Sequence, residues 1–216
     1  MINGLVYDLE IVKGILGENE RPTPGIEYCA GWHDHANMGI SVIGVYDFVE
    51  DRFRVFCKDN WGELFRLVKA RNFRISFNGI GFDDKVISKS ITEEYTISDE
   101  TGQEVPYKTI NGLPKDQSHY DILREIWLCM GLNPDKFYWR THGGVGLDAV
   151  CEANGLGGKT GNGALAPVHW QQGMIGSVID YCLQDVKLTR DLFLLSQRGN
   201  IRNPKGGELC LRKVEQ

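Results

Sequence analysis

Five residues in three separated places have the types and spacing for metal-assisted chemistry. Asp8 and Glu10 stand two apart in Leu5-Val6-Tyr7-Asp8-Leu9-Glu10-Ile11. A strand sends residues i and i+2 to the same face, so both carboxylates point one way. They interrupt an apolar strand, where uncompensated charge is costly. Lys or Arg partners would offset them, and so would a hard divalent cation such as Mg2+, which takes carboxylate oxygens. Asp83 follows Phe82 just after the turn at Asn78 and Gly79, at the end of a strand. Ligand-binding groups gather at such strand ends in α/β folds. Taken alone, Asp83 also reads as an acid in the first turn of a helix, favoured by the dipole, and its neighbour Asp84 fits that role better. Tyr181 and Asp185 are four apart in a helical stretch, so they share a face with Val178 and look inward. They read either as a buried Tyr–Asp hydrogen bond or as part of an acidic site.

Other residues give weaker signals. The Asn78 amide either contacts a substrate or orders its turn. Ala153 to Thr160 satisfies a permissive phosphate-loop pattern, with Gly158 and Lys159 near its end. A phosphate loop follows a strand and opens a helix. Here a helical segment precedes it, and Gly161, Gly163 and Pro167 follow, so Gly155 reads as a helix end. Lys159 then either touches a substrate phosphate or is a solvated loop lysine. Phe137-Tyr138-Trp139-Arg140, with His142, interleaves aromatics with a cation. Bases can stack on such rings and Arg140 can grip phosphate; the alternative is core packing of at least two of the three aromatics. His33-Asp34-His35 has two histidines at i, i+2 without a third ligand, which reads as a surface loop. His119 and His169 carry no signal.

The elements that must position these residues follow from periodicity. Leu5 to Ile11 reads as a strand, followed by a loop rich in Gly and Pro. Ile40–Phe48 and Arg52–Cys57 are two further strands joined by a turn at Asp47 to Asp51. Trp61, Leu64, Phe65 and Val68 form an apolar helical stripe ending near Arg71, with Asp59 or Asn60 as its cap. A short strand, Phe73–Phe77, leads to a helix over about Phe82 to Ser90. Residues 91–118 break the rhythm and read as a protruding hairpin or flexible loop. Then come His119 to Leu123 and a helix to about Met130, a helix holding Leu147, Val150 and Cys151, a glycine-rich loop over Gly155–Gly163, and a long helix from about Gln172 to Gln197. Leu209, Leu211 and Val214 suggest a terminal strand. This order makes a mixed α/β chain whose first three strands are antiparallel.

The 216 residues suit one globular domain or two very small ones. Lys and Arg number 24 against 29 Asp and Glu, a net charge of −5, which argues against a histone-like binder that neutralises many phosphates. No apolar run reaches membrane-spanning length. Met1 to Glu10 lacks a basic n-region, so no secretory signal is expected and the cytoplasm is the expected location. The six cysteines form no C-x-x-C pair, which excludes the usual structural zinc site; most sit in apolar runs and read as buried, reduced thiols.

Asp8-Leu9-Glu10 on the first strand, Asn78-Gly79-Ile80-Gly81-Phe82-Asp83 after a later strand, and Tyr181 to Asp185 in a late helix occur in that order. The combination resembles the DEDD superfamily of 3′–5′ exonucleases. The histidine subgroup of that superfamily places His five residues before the last Asp; here that position is Asp180, so the tyrosine subgroup fits. Leu147 to Cys151, Gly158-Lys159 and Tyr181-Cys182 are similar to the proofreading-type exonucleases related to family B DNA polymerases. The resemblance covers about residues 3–196 and leaves the insertion at 91–118 and the tail unexplained.

The resemblance implies a ribonuclease H-like fold, with a mixed β-sheet flanked by helices, as a single exonuclease domain over residues 1–216. It implies release of nucleotides from the 3′ end of DNA with two divalent metal ions, Mg2+ or Mn2+. Asp8, Glu10 and Asp185 would bind the first ion. Asp8 and Asp83, the latter directly or through water, would bind the second. Tyr181 would orient the attacking water, because a phenol is a poor base at neutral pH. Asn78, Phe82, Lys159 and Arg140 are the expected substrate contacts. Single-stranded or 3′-ended DNA is the expected partner, with RNA as the alternative and no membrane. The chain would act alone or be recruited to a polymerase or replication complex, in replication or repair. A ribonuclease of the same fold and a catalytically silent nucleic-acid-binding module are the competing readings.

Overall fold

The computed structural model describes residues 2–17, 20–98, 104–114, 116–158, 161 and 163–214. In chain order it forms β1 (Gly4–Ile11), β2 (Gly14–Ile15), β3 (Tyr28–Cys29), β4 (Ile40–Asp47), β5 (Arg52–Phe56), α1 (Trp61–Lys69), β6 (Phe73–Ser76) and α2 (Asp83–Ser90). There follow β7 (Thr92–Ser98), β8 (Glu104–Asn111), β9 (Ser118–Asp121), α3 (Ile122–Cys129), α4 (Trp139–His142) and α5 (Leu147–Ala153). A 3-10 turn at Gly163–Leu165 leads into α6 (Ala166–Gln171), α7 (Ile175–Arg198), β10 (Ile201–Arg202) and β11 (Glu208–Leu209).

Five strands make one mixed sheet in the order β5-β4-β1-β6-β9. β1 pairs antiparallel with β4, and β4 with β5, so the three long N-terminal strands form a meander. β6 runs parallel to β1, and β9 parallel to β6. The alternation along β1 decides which helix covers which face. Leu5, Tyr7, Leu9 and Ile11 bury against Leu64, Phe65 and Val68 of α1 and Val86 and Ile87 of α2. Val6 looks the other way, into a core with Val186, Leu192 and Phe193 of α7. Asp8 and Glu10 share that second face. α7 lies hard on the sheet at Gly44, where any side chain would come within 3.0 Å of the Cys182 sulfur. The missing Cβ permits that approach.

Helix ends follow the sequence closely, with three differences. Asn60 occupies the N-cap position of α1 but spends its side chain on the loop before it, accepting from Cys57 N–H at 2.7 Å and donating to Val55 O. The long helix begins at Ile175, because α6 takes the preceding residues and Gly173 turns the chain with φ +78°. The tail does not form one strand over Leu209–Val214. Glu208–Leu209 pairs with Ile201–Arg202, while Leu211 packs into the core. Gly155 ends α5 with φ +71°, as expected. Between α2 and β9, β7 and β8 form a separate antiparallel pair. Among the described residues, no helix is long and apolar enough to cross a membrane.

Candidate functional site

A cavity of about 280 Å3 opens where β1 and β6 end, lined by Asp8, Glu10, Asp83, Tyr181, Asp185 and Asn78, among others. Three elements supply its acids. β1 presents Asp8 and Glu10 on the face that α7 covers, and α7 carries Tyr181 and Asp185. Asp83 comes from the first turn of α2, on the other side of the sheet. Leu9 N–H donates to Asp83 Oδ1 at 3.1 Å and so ties the start of α2 to β1. Glu10, Asp83 and Asp185 are buried, and Asp8 is half-buried. Among the described residues, no Lys or Arg lines this cavity.

Burial pushes the Asp83 carboxyl up to about 7, against the lowering pull of backbone N–H groups. A cation held there would have to displace that proton. Ligand atoms of Asp8, Glu10 and Cys182 all lie within 4.8 Å of one another. Burial, and then the charges of Asp8 and Glu10, push the Cys182 thiol well above its ordinary value. It therefore stays an S–H, and it donates to Asp8 O at 3.5 Å. The remaining donors are carboxylate oxygens, the set that Mg2+ and Mn2+ prefer.

Gly163, at the start of the 3-10 turn before α6, sits against Tyr181. A Cβ on Gly163 would stand 2.9 Å from the Tyr181 hydroxyl, so the loop can close over the ring only without a side chain there. Asn78 sits at φ +69°, a left-handed conformation that Asn tolerates. Asp121, at the end of β9, fixes that turn: its carboxylate accepts from Asn78 N–H at 2.9 Å and Ile80 N–H at 3.0 Å. The same side chain caps α3, accepting from Leu123 and Arg124 N–H.

Residues that took no part in a site on sequence grounds are placed in and around the cavity. Trp32 lines the cavity beside Phe82, 66% exposed, with its ring edge-on to the Phe82 ring at 6.0 Å. His35 packs on the same Phe82 ring, and Asp34 closes its own loop by accepting from Ala30 N–H. Beneath the sheet, His119 reaches Ser76 Oγ at 2.7 Å and Asp84 Oδ2 at 3.2 Å. That is a serine–histidine–aspartate line, but Ser76 is 1% exposed, which leaves a substrate no access. It is a structural tie, completed by Tyr7, whose hydroxyl donates to Asp84 at 2.6 Å, and by Arg74. Burial opposes charge on Asp84, but hydrogen bonds from His119 and Tyr7 and the nearby Arg74 hold its carboxyl low.

The cavity thus brings together Asp8, Glu10, Asn78, Phe82, Asp83, Tyr181 and Asp185. Arg140 is not among them; it is exposed on α4. Lys159 lies outside the described residues. Of the cysteines, only Cys151 and Cys182 are buried; Cys129 and Cys210 are exposed, and all six are free thiols.

No protein-family model matches the chain. No curated protein matches it. Among solved structures it is similar to the family B DNA polymerase from the hyperthermophilic archaeon Pyrobaculum calidifontis, at 17% identity and a TM-score of 0.51. The match covers 90% of this chain and 25% of the polymerase, so the chain spans a quarter of that protein's length. The likeness is one of fold: this chain shares its mixed α/β architecture with a segment of a family B DNA polymerase.

Proposed function

We propose that the chain is a metal-dependent 3′–5′ exonuclease of ribonuclease H-like fold that removes nucleotides from the 3′ end of DNA. One observation carries the reading: four acids from three separate elements, with Tyr181, line a single cavity. In this reading Asp8, Glu10 and Asp185 would hold one divalent ion, and Asp8 with Asp83 would hold a second. Divalent ions bound there would supply Lewis-acid stabilisation of the phosphate and an acidified water. Tyr181, held by the glycine loop, orients the attacking water through its hydroxyl. Asn78 and Phe82 receive the terminal nucleotide, the amide by hydrogen bonding and the ring by stacking. Leu9 N–H, donating to Asp83 Oδ1, keeps that carboxyl aimed at the cavity.

Likeness to a polymerase segment supports DNA as the substrate and recruitment to a polymerase complex as the setting. The test is hydrolysis of 3′-labelled and 5′-labelled single strands, as DNA and as RNA, with Mg2+ or Mn2+ titrated. Products shortened from the 3′ end alone, and only with metal, are expected from DNA. Preferential RNA cleavage would move the reading to a ribonuclease, and metal-independent binding without cleavage would leave a binding module.

A further inference from the structure

Two exposed thiols from distant parts of the chain meet at the C-terminal end of α3. Cys129 is the last residue of that helix, and Cys210 follows β11 in the tail. Both are free and exposed. They stand 81 residues apart in sequence, yet the Cys129 thiol donates to Cys210 O at 2.9 Å.

That contact belongs to a register between the helix and the tail. Leu209 and Leu211 are buried, whereas Cys210 and Arg212 are exposed. The segment thus alternates as a strand does and sends Cys210 and Arg212 to one side. Arg212 uses that side to bind α3: its guanidinium bonds the Glu125 carboxylate at 3.1 and 3.0 Å and lies over the Tyr120 ring. Glu125 and Cys129 are i, i+4 on α3 and share a face. Four helical residues advance about 6 Å and two extended residues about 6.6 Å, so the spacings match. With Glu125 against Arg212 as one rung, the next rung sets Cys129 against Cys210. The tail is held in this register from both sides. Leu209 and Leu211 sit in the core, Tyr120 donates its hydroxyl to Arg212 O at 2.7 Å, and Val214 N–H donates to Gln197 Oε1 at 2.8 Å.

We propose that Cys129 and Cys210 are a redox-modification site: they form a reversible disulfide that staples the tail to α3. The oxidant is a low-molecular-weight disulfide such as glutathione disulfide. One cysteine thiolate attacks it, breaking its S–S bond, forming a mixed disulfide and releasing the first glutathione. The second cysteine thiolate then attacks the protein sulfur of that mixed disulfide and releases the second glutathione. One protein S–S bond forms, the S–S bond of the reagent is lost, and the two protons leave on the two glutathione thiols. The inference is independent of the exonuclease reading. The cross-link closes a long loop, which restricts the unfolded chain and so favours the folded one.

The experiment equilibrates the full chain in glutathione mixtures running from fully reduced to fully oxidised. Each sample is quenched in acid, alkylated, digested and mapped by mass spectrometry, and its melting temperature is measured. The wild type is expected to yield, in the oxidising mixtures, a pair of peptides joined through Cys129 and Cys210. That pair should be lighter by two hydrogens than the separate peptides and should vanish with dithiothreitol. Its appearance should accompany a rise of about 5 °C or more in melting temperature. Cys129→Ser and Cys210→Ser, both at exposed positions, should each melt like the reduced wild type and lose the cross-link and the rise together. Both cysteines fully alkylated in the oxidising mixtures, or each carrying its own glutathione, would overturn the inference. So would a cross-link without a rise, or the same rise in either serine variant.

Discussion

Asp83 has the environment most dependent on what binds beside it. Burial pushes its carboxyl up to about 7, so a cation bound there would compete with a proton. Metal affinity and catalysis should therefore depend on the acids as a set. Asp8→Asn and Asp185→Asn are each expected to fall below a tenth of wild-type nuclease activity while keeping a cooperative melt. Mn2+ is expected to raise the melting temperature of the wild type, since a ligand that binds only the folded state stabilises it, and each variant should lose that rise. Activity above a tenth in either clean variant would sink the assignment. Tyr181→Phe removes only the hydroxyl. If that group positions the water, kcat should drop by about 10²-fold with KM nearly unchanged; a drop confined to KM would speak for substrate binding instead. At this scale the sequence was legible where local periodicity governs. The strand period put Asp8 and Glu10 on one face, and the helix period paired Tyr181 with Asp185. Trp32 and Cys182 were not legible, because their positions come from a loop and a helix face that meet the acids only after the chain has folded.

Among the elements, the turn after β6 is held from a distance. Asp121 accepts backbone N–H groups on both sides of a gap, at Asn78 and Ile80 and again at Leu123 and Arg124. Burial raises its carboxyl, and those N–H groups oppose the rise. Asp121→Ala strands several buried donors, so a loss of about 3 kcal/mol is expected, on the order of 10 °C in melting temperature. Activity should fall further than stability explains, because Asn78 and Asp83 ride on that turn. Calorimetry and steady-state kinetics on the same preparation check both parts. Gly163→Ala tests the glycine loop: its new Cβ would displace the Tyr181 hydroxyl, so kcat should fall with little change in melting temperature. A kcat equal to that of the wild type would show that the ring has room to spare. The principal helices and sheet strands were readable from apolar spacing and turn residues. Asp121 stood in the run His119 to Leu123 without a role, and His119 was background. The partners that give them their roles at the turn and beneath the sheet, Asn78 and Ile80 for Asp121 and Ser76 and Asp84 for His119, lie tens of residues away in sequence, where no local pattern reaches.

Across the whole molecule, charge is partitioned. The net −5 is not spread evenly, since acids crowd one cavity and cations line the next. Away from both, Asp47 at the end of β4 is bound by Arg71 through two hydrogen bonds, at 2.8 and 2.6 Å. Burial works against the Asp47 charge, but Arg71 and Val49 N–H outweigh it and hold the carboxyl below its ordinary value. A carboxyl lowered in the folded state stabilises above its unfolded value of about 4, and that contribution is lost as pH falls through the folded one. Melting temperature should therefore decline on acidification below about pH 4. Asp47→Asn should melt lower at pH 7 and decline less steeply; a slope equal to the wild type's would refute the role given to this pair.

The way α7 closes the acidic face has a consequence for biosynthesis. Asp8 and Asp185 are 177 residues apart, and β1 emerges from the ribosome long before α7 exists. Until α7 docks, the carboxylates of β1 have no lid, no Tyr181 and no Asp185. A growing polypeptide would therefore carry Asp8 and Glu10 uncovered, and gain Tyr181 and Asp185 beside them only once α7 has been made.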